Sequence, residues 1–348
     1  MFPLFQKIFT SRKEECSMTK YKYLSAMAAY MSELIAIKHS AGISTKSIEY
    51  ALKEFDRFFI ENHIVPRDLT ESVYVKWRES RINDSDVTIY NKCSYWRQLM
   101  KLISRSGINC FIPRNPKCLH SNFEPYIFTN EQIQEIFKHA DGLRMFDKHM
   151  TCTMFSIPTI LRLLYSTGLR ISEVLSIKNE DLYLNEDYIH IRKSKNNRER
   201  IVYMNQSLKS CLQTYLFYRN KMPLSGIDDP QRELFIKADG SRINQQSVYV
   251  YFKKILEKCG IPHIGGNHGP RVHDLRHTYA VHSLVKMVNL KMDLYVCLPI
   301  LSASLGHRDV ATTEKYVRLT QAMFPDLLQQ CFQQNIIIPN IEEYDNNY

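Results

Sequence analysis

Residues 167–173 read Thr-Gly-Leu-Arg-Ile-Ser-Glu, and this stretch decides how the middle of the chain is interpreted. An apolar, helix-like run stops at Gly168, and an apolar pattern at helical spacing resumes over residues 171–175. Arg170 is therefore expected in the first turn of a new helix, where free backbone N–H groups and the helix dipole favour an anion. The alternative is an ordinary surface ion pair between Arg170 and Glu173.

Residues 273–277 read His-Asp-Leu-Arg-His and form a second polar stretch. His273 and Arg276 are three residues apart, so a helix places imidazole and guanidinium on one face, where both can reach the same phosphate. His273 and His277 also have the spacing of a zinc-binding helix, but Asp274 replaces the usual glutamate and no third ligand is evident. Zinc is the less favoured interpretation, and a core or capping role is expected for His277.

Two more elements follow, Leu-Gly-His at residues 305–307 and Tyr316, nine residues after His307. A histidine can hydrogen-bond a phosphate oxygen or move a proton, and a phenol can act as a nucleophile. Taken alone, however, Tyr316 is more typical of core packing, because the chain contains 21 tyrosines and Val317 adjoins this one. Neither element identifies a function by itself.

Two runs of alternating residues, 188–192 and 200–204, flank a polar turn and predict a β-hairpin. Lys193 and Lys195 have the same parity as the apolar positions of the first run, so they project from the same face, near the tip. There a lysine could reach a DNA backbone, with Lys195 preferred and Lys193 the rival. The alternative is a solvated charge run, since residues 192–200 contain five Lys and Arg.

The composition favours a polyanionic partner. Of the 348 residues, 46 are Lys or Arg and 36 are Asp or Glu, a formal net charge of +10, which favours nucleic acid or an anionic membrane surface. No stretch approaches the length of a membrane span, and the first apolar run is too short for a signal peptide, so the chain is expected to begin near Met1 and to be cytosolic. Nine cysteines scattered singly predict reduced thiols rather than a disulfide framework.

Two prolines within Ile-Pro-Arg-Asn-Pro-Lys at residues 112–117 indicate a linker, over about residues 112–122, because neither a helix nor a central strand continues through them. Residues 1–117 contain 19 Lys and Arg against 12 Asp and Glu, and residues 118–322 contain 27 against 20. Residues 323–348 contain four acidic residues and no Lys or Arg. The sequence therefore predicts two basic domains and an acidic tail.

Helical periodicity dominates both domains. Residues 1–117 contain four amphipathic runs, at residues 19–40, after Thr45, from about residue 70, and at residues 85–107, which predict a small helical bundle. The second domain opens with a capping-box pattern at residues 129–132 and continues mostly as helix around the hairpin. The predicted fold class is mainly α (α+β), with an N-terminal helical bundle and a mostly helical second domain that contains a small antiparallel hairpin or sheet.

The ordered set of polar residues resembles the tyrosine recombinase, or phage integrase, family. The stretches T-G-L-R-I-S-E, H-D-L-R-H-T and L-G-H-R-D-V-A-T-T-E-K-Y match it closely, and the likeness spans residues 128–324. The resemblance implies a DNA core-binding domain at residues 1–117 and a catalytic domain at residues 123–348 that ends in the tail. It also implies a pocket and a nucleophile, Tyr316; the pocket residues are Arg170, Lys195, His273, Arg276 and His307.

What the resemblance implies is a recombinase that cleaves and rejoins duplex DNA through a 3′-phosphotyrosine, with Lys195 as the acid for the leaving 5′-oxygen. No metal, ATP or other cofactor is expected, and the sequence contains no P-loop pattern and no acidic cluster suited to two Mg²⁺ ions. Between Arg276 and His307 the chain is several residues longer than compact members of the family, with residues 286–298 as the extra material. This longer form resembles integrases and transposases of mobile elements, which implies integration or excision.

The resemblance further implies a tetramer on DNA and a location in the cytoplasm with the nucleoid. The apolar tail at residues 323–339 is expected to pack on a neighbouring protomer or on its own domain. Two alternatives remain: a type IB topoisomerase, which would share the pocket, and an inactive DNA-binding accessory protein. The complete residue set argues against the inactive protein, which would be expected to have lost Arg170, Arg276 or Tyr316.

Overall fold

A computed structural model divides the chain into two compact units, Met1–Phe123 and Glu124–Tyr348. The predicted hairpin lysines, Lys193 and Lys195, lie outside the residues that the structure describes, and so does the tail after residue 324. The described residues are 21–116, 124–143, 153–192, 199–263, 269–307 and 309–324.

The described part of the first unit contains the four predicted helices. They are α1 (Ala28–Ser40), α2 (Lys46–Glu61), α3 (Glu71–Glu79) and α4 (Asp86–Arg105). Helix α1 begins later than the run from residue 19 predicts, because the buried carboxylate of Asp56 accepts hydrogen bonds from the backbone N–H groups of Leu24, at 3.1 Å, and Ser25, at 2.9 Å. A tertiary contact thus takes donors that a longer helix would satisfy internally.

The core of the first unit is aromatic. Trp77 of α3 stacks on Trp96 of α4 with ring centroids 4.8 Å apart, and the Phe55 ring meets both edge-on at 5.1 and 5.2 Å. Each of these side chains is at most 1% exposed. These rings belong to a larger buried apolar core to which α1 contributes Met31 and Leu34, so tertiary burial rather than helix propensity stabilises the bundle.

Four charged side chains, which we call the Lys92 cluster, lie beside that core. The Lys92 ammonium lies 2.5 Å from a Glu54 carboxylate oxygen and 2.7 Å from an Asp84 carboxylate oxygen, and the Arg81 guanidinium lies 3.1 Å from Glu54. Burial by itself would lower the pKa of Lys92, but its hydrogen bonds to Asp84 and Glu54 outweigh burial and raise it. Two cations face two carboxylates, so the cluster is neutral.

The second unit is mainly helical with a small sheet, as predicted. The capping box at its start is confirmed: the Thr129 hydroxyl accepts from the Gln132 N–H at 3.2 Å, and the Gln132 side chain accepts from the Thr129 N–H at 3.0 Å. The described helices are α5 (Asn130–Asp141), α6 (Ile157–Thr167), α7 (Ile171–Val174), α8 (Gln206–Arg219), α9 (Gln245–Lys258), α10 (Asp274–Asn289), α11 (Leu294–Leu305) and α12 (Ala311–Met323).

The sheet is antiparallel in the order β1 (Leu182–Tyr183), β2 (Tyr188–Ile191) and β3 (Arg200–Tyr203). Strands β2 and β3 form the predicted hairpin, with Ile191 opposite Arg200, and β2 buries Ile189 and Ile191 on one face. Strand β1 was not predicted, because two residues are too few to show alternation.

Helix α10 is the central element of the second unit and packs against α6, α11 and α12. Leu284 of α10, Leu301 of α11 and Tyr316 of α12 share one apolar cluster. The extra material at residues 286–298 forms the end of α10, a short turn and the start of α11. None of the helices within the described ranges is both long and apolar enough to cross a membrane. The five cysteines described there are free thiols.

Candidate active site

Helix α6 ends where the sequence predicts, at Gly168, which takes a left-handed conformation with φ of +63°. A Cβ at this position would lie 2.3 Å from the ring of Tyr279, so a larger residue would need the backbone or the ring to move. Arg170 follows as the N-cap of α7, one residue earlier than the predicted first turn. Arg170 thus lies at the start of α7, two residues after the glycine that ends α6.

Arg170, Glu173 and Arg200 form a second group of charges, which we call the Glu173 cluster. Glu173 accepts from the Arg170 guanidinium at 2.8 Å and from Arg200 at 2.9 and 3.3 Å. Its side chain is 1% exposed, so the pair with Arg170 is not the surface ion pair considered as the alternative. Burial would raise the pKa of Glu173, but Arg200 and Arg170 outweigh burial and lower it. One buried carboxylate thus serves two arginines.

Arg276 of α10 is 2% exposed and is held by the ends of two helices. One terminal nitrogen donates to the carbonyl oxygen of Gly168 at 2.6 Å, and the other donates to that of Leu305 at 2.7 Å. Burial, reinforced by the positive charge of Arg170, lowers the pKa of Arg276 to about 10, which leaves it charged at neutral pH. Among the described residues, no carboxylate forms a direct ion pair with Arg276. The site therefore contains a fixed positive charge.

His273 and His277 lie at the start of α10, with their rings edge to face at 4.8 Å. His273 is the N-cap and stays exposed, yet partial burial of its ring and the charges of Arg276 and Arg271 lower its pKa to about 4. His277 is buried in the core, as predicted, and burial together with nearby charge lowers its pKa to about 3. Both rings are therefore neutral at pH 7.

Tyr316 of α12 is both a core residue and a part of the candidate site, because it is 1% exposed and still contacts other candidate residues. Its hydroxyl lies 2.9 Å from Nδ1 of His277, and the His307 ring stacks on its ring at 6.2 Å. Burial raises the pKa of Tyr316, although the charge of Arg276 opposes the rise. His307 is held by Thr313, whose hydroxyl lies 2.8 Å from its Nδ1, and burial lowers the pKa of His307 to about 4.

The structure therefore brings together five of the six predicted site residues; they are Arg170, His273, Arg276, His307 and Tyr316. The sixth, Lys195, and its rival Lys193 lie outside the described residues, between the ends of β2 and β3. Within the described ranges, no group of three or more His, Cys, Asp or Glu side chains is arranged to hold a metal ion. Two arginines, neutral imidazoles and a phenol form a site that can bind an oxyanion beside a nucleophile.

A comparison of sequences assigns the chain to a family. Residues 127–323 match the phage integrase family. The chain belongs to that family. It is similar to the putative integrase/recombinase y4rB of Sinorhizobium fredii, 27% identical over 84% of this chain and 93% of that protein. It is also similar to the tyrosine recombinase XerC of Thermodesulfovibrio yellowstonii, 29% identical over 81% of this chain and 89% of that protein.

Solved structures show the same fold as this tyrosine recombinase. The XerH site-specific recombinase, bound to its palindromic difH substrate in a post-cleavage complex, has a TM-score of 0.61 and 19% identity over 83% of this chain and 78% of its own. The Tn1549 transposon integrase, in complex with transposon right end DNA, has a TM-score of 0.60 and 17% identity over 84% of this chain and 94% of its own. At these identities the matches establish the fold alone.

Three further residues of this candidate site could not be recognised as site residues from the sequence. Glu173 appeared only as a surface partner of Arg170, and Arg200 only as part of a charge run. The Lys315 ammonium lies 5.1 Å from the centroid of the Tyr316 ring, and burial lowers its pKa. The three-residue spacing of Arg170 and Glu173 was the one available local signal, because the contacts of Arg200 and the burial of Lys315 arise only in the folded chain.

Proposed function

We propose that this protein is a site-specific recombinase that cleaves and rejoins duplex DNA, with Tyr316 as the nucleophile and a 3′-phosphotyrosine as the intermediate. The observation that carries the proposal is the placement of the Tyr316 hydroxyl among His277, His307 and the fixed charge of Arg276. Membership of the phage integrase family supports DNA recombination as the reaction.

The covalent step is a transesterification. The Tyr316 oxygen attacks the phosphorus and the bond to the 5′-oxygen breaks, with the phenol proton leaving and Lys195 donating a proton to the departing oxygen. Rejoining reverses these events, since a 5′-hydroxyl attacks the phosphotyrosine and the phenol recovers its proton. The phosphodiester energy is kept in the protein–DNA bond, so the step consumes no nucleotide.

Arg170 and Arg276 bind the non-bridging oxygens and stabilise the charge of the transition state. Arg276 uses two of its N–H groups on backbone carbonyls, which orients the planar guanidinium before DNA arrives. His307 and His273, neutral at pH 7, hydrogen-bond the same oxygens or accept the phenol proton.

The free protein holds its nucleophile away from solvent. Tyr316 is 1% exposed and its hydroxyl is engaged by His277. DNA binding therefore has to open the contact around Tyr316 before the hydroxyl can reach a phosphate. This requirement keeps the pocket from reacting with phosphate esters that lack the rest of a DNA duplex.

Duplex DNA is the partner that the charge distribution favours. In this proposal, residues 1–117 are the core-binding domain, residues 112–122 the linker and residues 123–348 the catalytic domain. Both parts have an excess of Lys and Arg before the acidic tail, so phosphate contacts dominate the affinity and make it fall steeply with salt. The solved XerH and Tn1549 structures, which contain DNA, share the fold and support this arrangement.

We further propose that the recombinase serves the integration or excision of a mobile element. The insertion at residues 286–298 and the similarity to a putative integrase/recombinase support this role. Exchange joins two sites of two strands each, so four protomers act together in the nucleoid, with the apolar tail at residues 323–339 docking on a neighbouring protomer.

The test is covalent trapping on a pool of nicked suicide duplexes with randomised sequence. Wild type should give a protein–DNA adduct that survives denaturation, and peptide mass spectrometry should locate it on Tyr316. The matched control is Tyr316→Phe, which preserves the ring. No adduct with wild type, or an equal adduct with the Phe variant, would contradict the proposal. Relaxation of supercoiled plasmid without any joined product would favour the topoisomerase alternative.

A further inference from the structure

Arg200, the first residue of β3, connects three segments of the site. Its terminal nitrogens donate to the two carboxylate oxygens of Glu173 at 2.9 and 3.3 Å. Its Nε donates to the carbonyl oxygen of Ser304 at 3.3 Å. The side chain is 11% exposed, so these contacts form where water competes weakly. Arg200 thus joins the hairpin strand to the start of α7 and to the turn before His307.

The contact with Glu173 changes what Arg170 can do. Glu173 also accepts from the Arg170 backbone N–H at 3.0 Å and from its guanidinium at 2.8 Å, so each carboxylate oxygen is shared between the two arginines. A carboxylate that served Arg170 alone would neutralise it. Because Arg200 takes part of that carboxylate, the cluster keeps one positive charge in excess, and an anion is needed to balance it.

The same side chain lies against the turn that precedes His307. Gly306 has φ of +65°, and a Cβ there would lie 2.7 Å from a terminal nitrogen of Arg200. The guanidinium therefore fills the space that the glycine leaves. A displacement of Arg200 would therefore move Glu173, which holds Arg170, and would also disturb the turn that precedes His307.

We propose that Arg200 is a positioning residue of the recombination reaction: it holds Glu173 so that Arg170 stays aligned and available for the scissile phosphate. The proposal rests on the proposed function. It differs from an anchoring role for the hairpin, in which any arginine that ties the strands to the domain would have the same effect.

Arg192 provides the matched control, since it lies at the other side of the same hairpin, after β2. Its guanidinium pairs with the buried carboxylate of Asp181 at 2.5 Å and with Glu180 at 3.3 Å, and among the described residues its ion pairs do not include Glu173. An arginine and a buried carboxylate are thus present at both ends of the hairpin. Arg200 alone of the two connects to Arg170.

The experiment measures the rate of covalent adduct formation on a duplex recovered by the trapping selection. Arg200→Met should slow the reaction about 10²-fold, the scale of a misaligned or missing oxyanion donor. Arg192→Met should stay within about threefold of wild type, since Arg192 pairs with Asp181 and Glu180 and its loss leaves the alignment of Arg170 unchanged. Far-UV circular dichroism confirms that both variants are folded.

A second substrate separates positioning from general damage. In the methylphosphonate diastereomer whose methyl group replaces the oxygen that Arg170 binds, wild type loses the benefit of Arg170 as well. The ratio of the wild-type rate to the Arg200→Met rate should then fall to under about tenfold. The variant has lost only the alignment of Arg170, and this substrate has no oxygen for Arg170 to bind. A merely structural defect would be equal on both substrates.

Arg200→Lys keeps the proposal testable if the Met variant does not fold. One ammonium can pair with Glu173 but cannot also span to Ser304, so we expect a loss of about tenfold on phosphate, which is the scale of one hydrogen bond, and almost none on methylphosphonate. Wild-type rates for the Arg200 variants, equal losses on both substrates, or an equal loss in Arg192→Met would overturn the proposal. A wild-type protein that forms no adduct would instead refute the proposed function.

Discussion

The two units each contain a buried group of charged side chains, and the two groups differ in balance. In the Lys92 cluster, Lys92 and Arg81 face the two carboxylates Glu54 and Asp84. In the Glu173 cluster, one carboxylate faces two arginines, and Arg276 adds a third positive charge nearby. The first group is complete without a ligand, whereas the second has an excess of positive charge.

This difference distinguishes a charge cluster that only stabilises the fold from one that can also bind a ligand. Burying charge is costly unless opposite charge compensates it, so an uncompensated buried cluster indicates a missing anion. The two units can also be followed separately, because both tryptophans of the chain, Trp77 and Trp96, are in the first unit. Tryptophan fluorescence therefore reports the first unit, and far-UV circular dichroism reports the helices of both.

The largest effect is expected for Glu173→Gln, which removes the single carboxylate between two arginines. We expect the free energy of unfolding of the second unit to fall by about 3 kcal/mol, the lower end for breaking a buried pair, since both arginines keep some solvent contact. In urea, circular dichroism should show an earlier transition while the fluorescence transition stays in place. A coincident shift of both signals would contradict the assignment of this loss to the second unit.

A smaller effect is expected for Glu54→Gln in the neutral cluster. Lys92 keeps Asp84 as a partner at 2.7 Å, so only part of the pairing is lost. We expect a loss of about 1–2 kcal/mol, seen as an earlier transition in tryptophan fluorescence. If this variant were as damaging as Glu173→Gln, charge balance would not distinguish the two clusters.

The buried histidines predict a pH dependence of the second unit. The pKa of His277 is lowered from its ordinary 6.5 to about 3 in the folded protein. As pH falls below 6.5, the unfolded chain binds a proton that the folded chain excludes, so the free energy of unfolding decreases, by up to about 1.4 kcal/mol per pH unit. This stability is fully present above pH 6.5 and is lost as pH falls towards about 3.

The measurement is the urea midpoint followed by circular dichroism between about pH 7 and pH 5, the upper part of that range. The control is His277→Asn, which cannot titrate and retains an acceptor near the Tyr316 hydroxyl. Its midpoint should depend less steeply on pH. An identical slope in the variant would show that His277 is not responsible.

The smallest effect is expected from inorganic phosphate, which should stabilise only the second unit, because its Glu173 cluster has an excess of positive charge whereas the Lys92 cluster is neutral. At a concentration equal to the dissociation constant, binding adds about 0.4 kcal/mol to the free energy of unfolding. General exclusion of the salt from protein surfaces would shift the fluorescence transition too, so the difference between the two signals isolates binding. Arg170→Gln should abolish that difference, and its persistence would place the anion elsewhere.

Local signals predicted the elements that carry the site. The stop at Gly168, the capping box at Thr129 and the alternation of the hairpin are each encoded within a few residues, so the sequence alone is sufficient for them. The resemblance of the polar stretches to the tyrosine recombinase family also implied which residues meet in the second unit. Five of the six lie together in the structure, and Lys195 stays a prediction.

Contacts between distant parts of the chain were beyond the sequence. Asp56 shortens α1 from 31 residues away, Arg200 reaches Glu173 across 27 residues, and the Tyr316 hydroxyl meets His277 across 39. Helix periodicity and motif spacing contain no information on such pairs, because tertiary packing decides them. The roles of Arg200 and His277 could therefore be inferred only from the folded chain.

Gly168 and Gly306 have no side chain that could contact DNA, yet both allow other side chains of the site to pack closely against the backbone. A Cβ at Gly168 would strike the Tyr279 ring, and one at Gly306 would strike the Arg200 guanidinium. In a directed-evolution library aimed at new target sequences, we expect these two positions to tolerate little variation. A designer who selected positions only by their distance from DNA would leave these two constraints open to change.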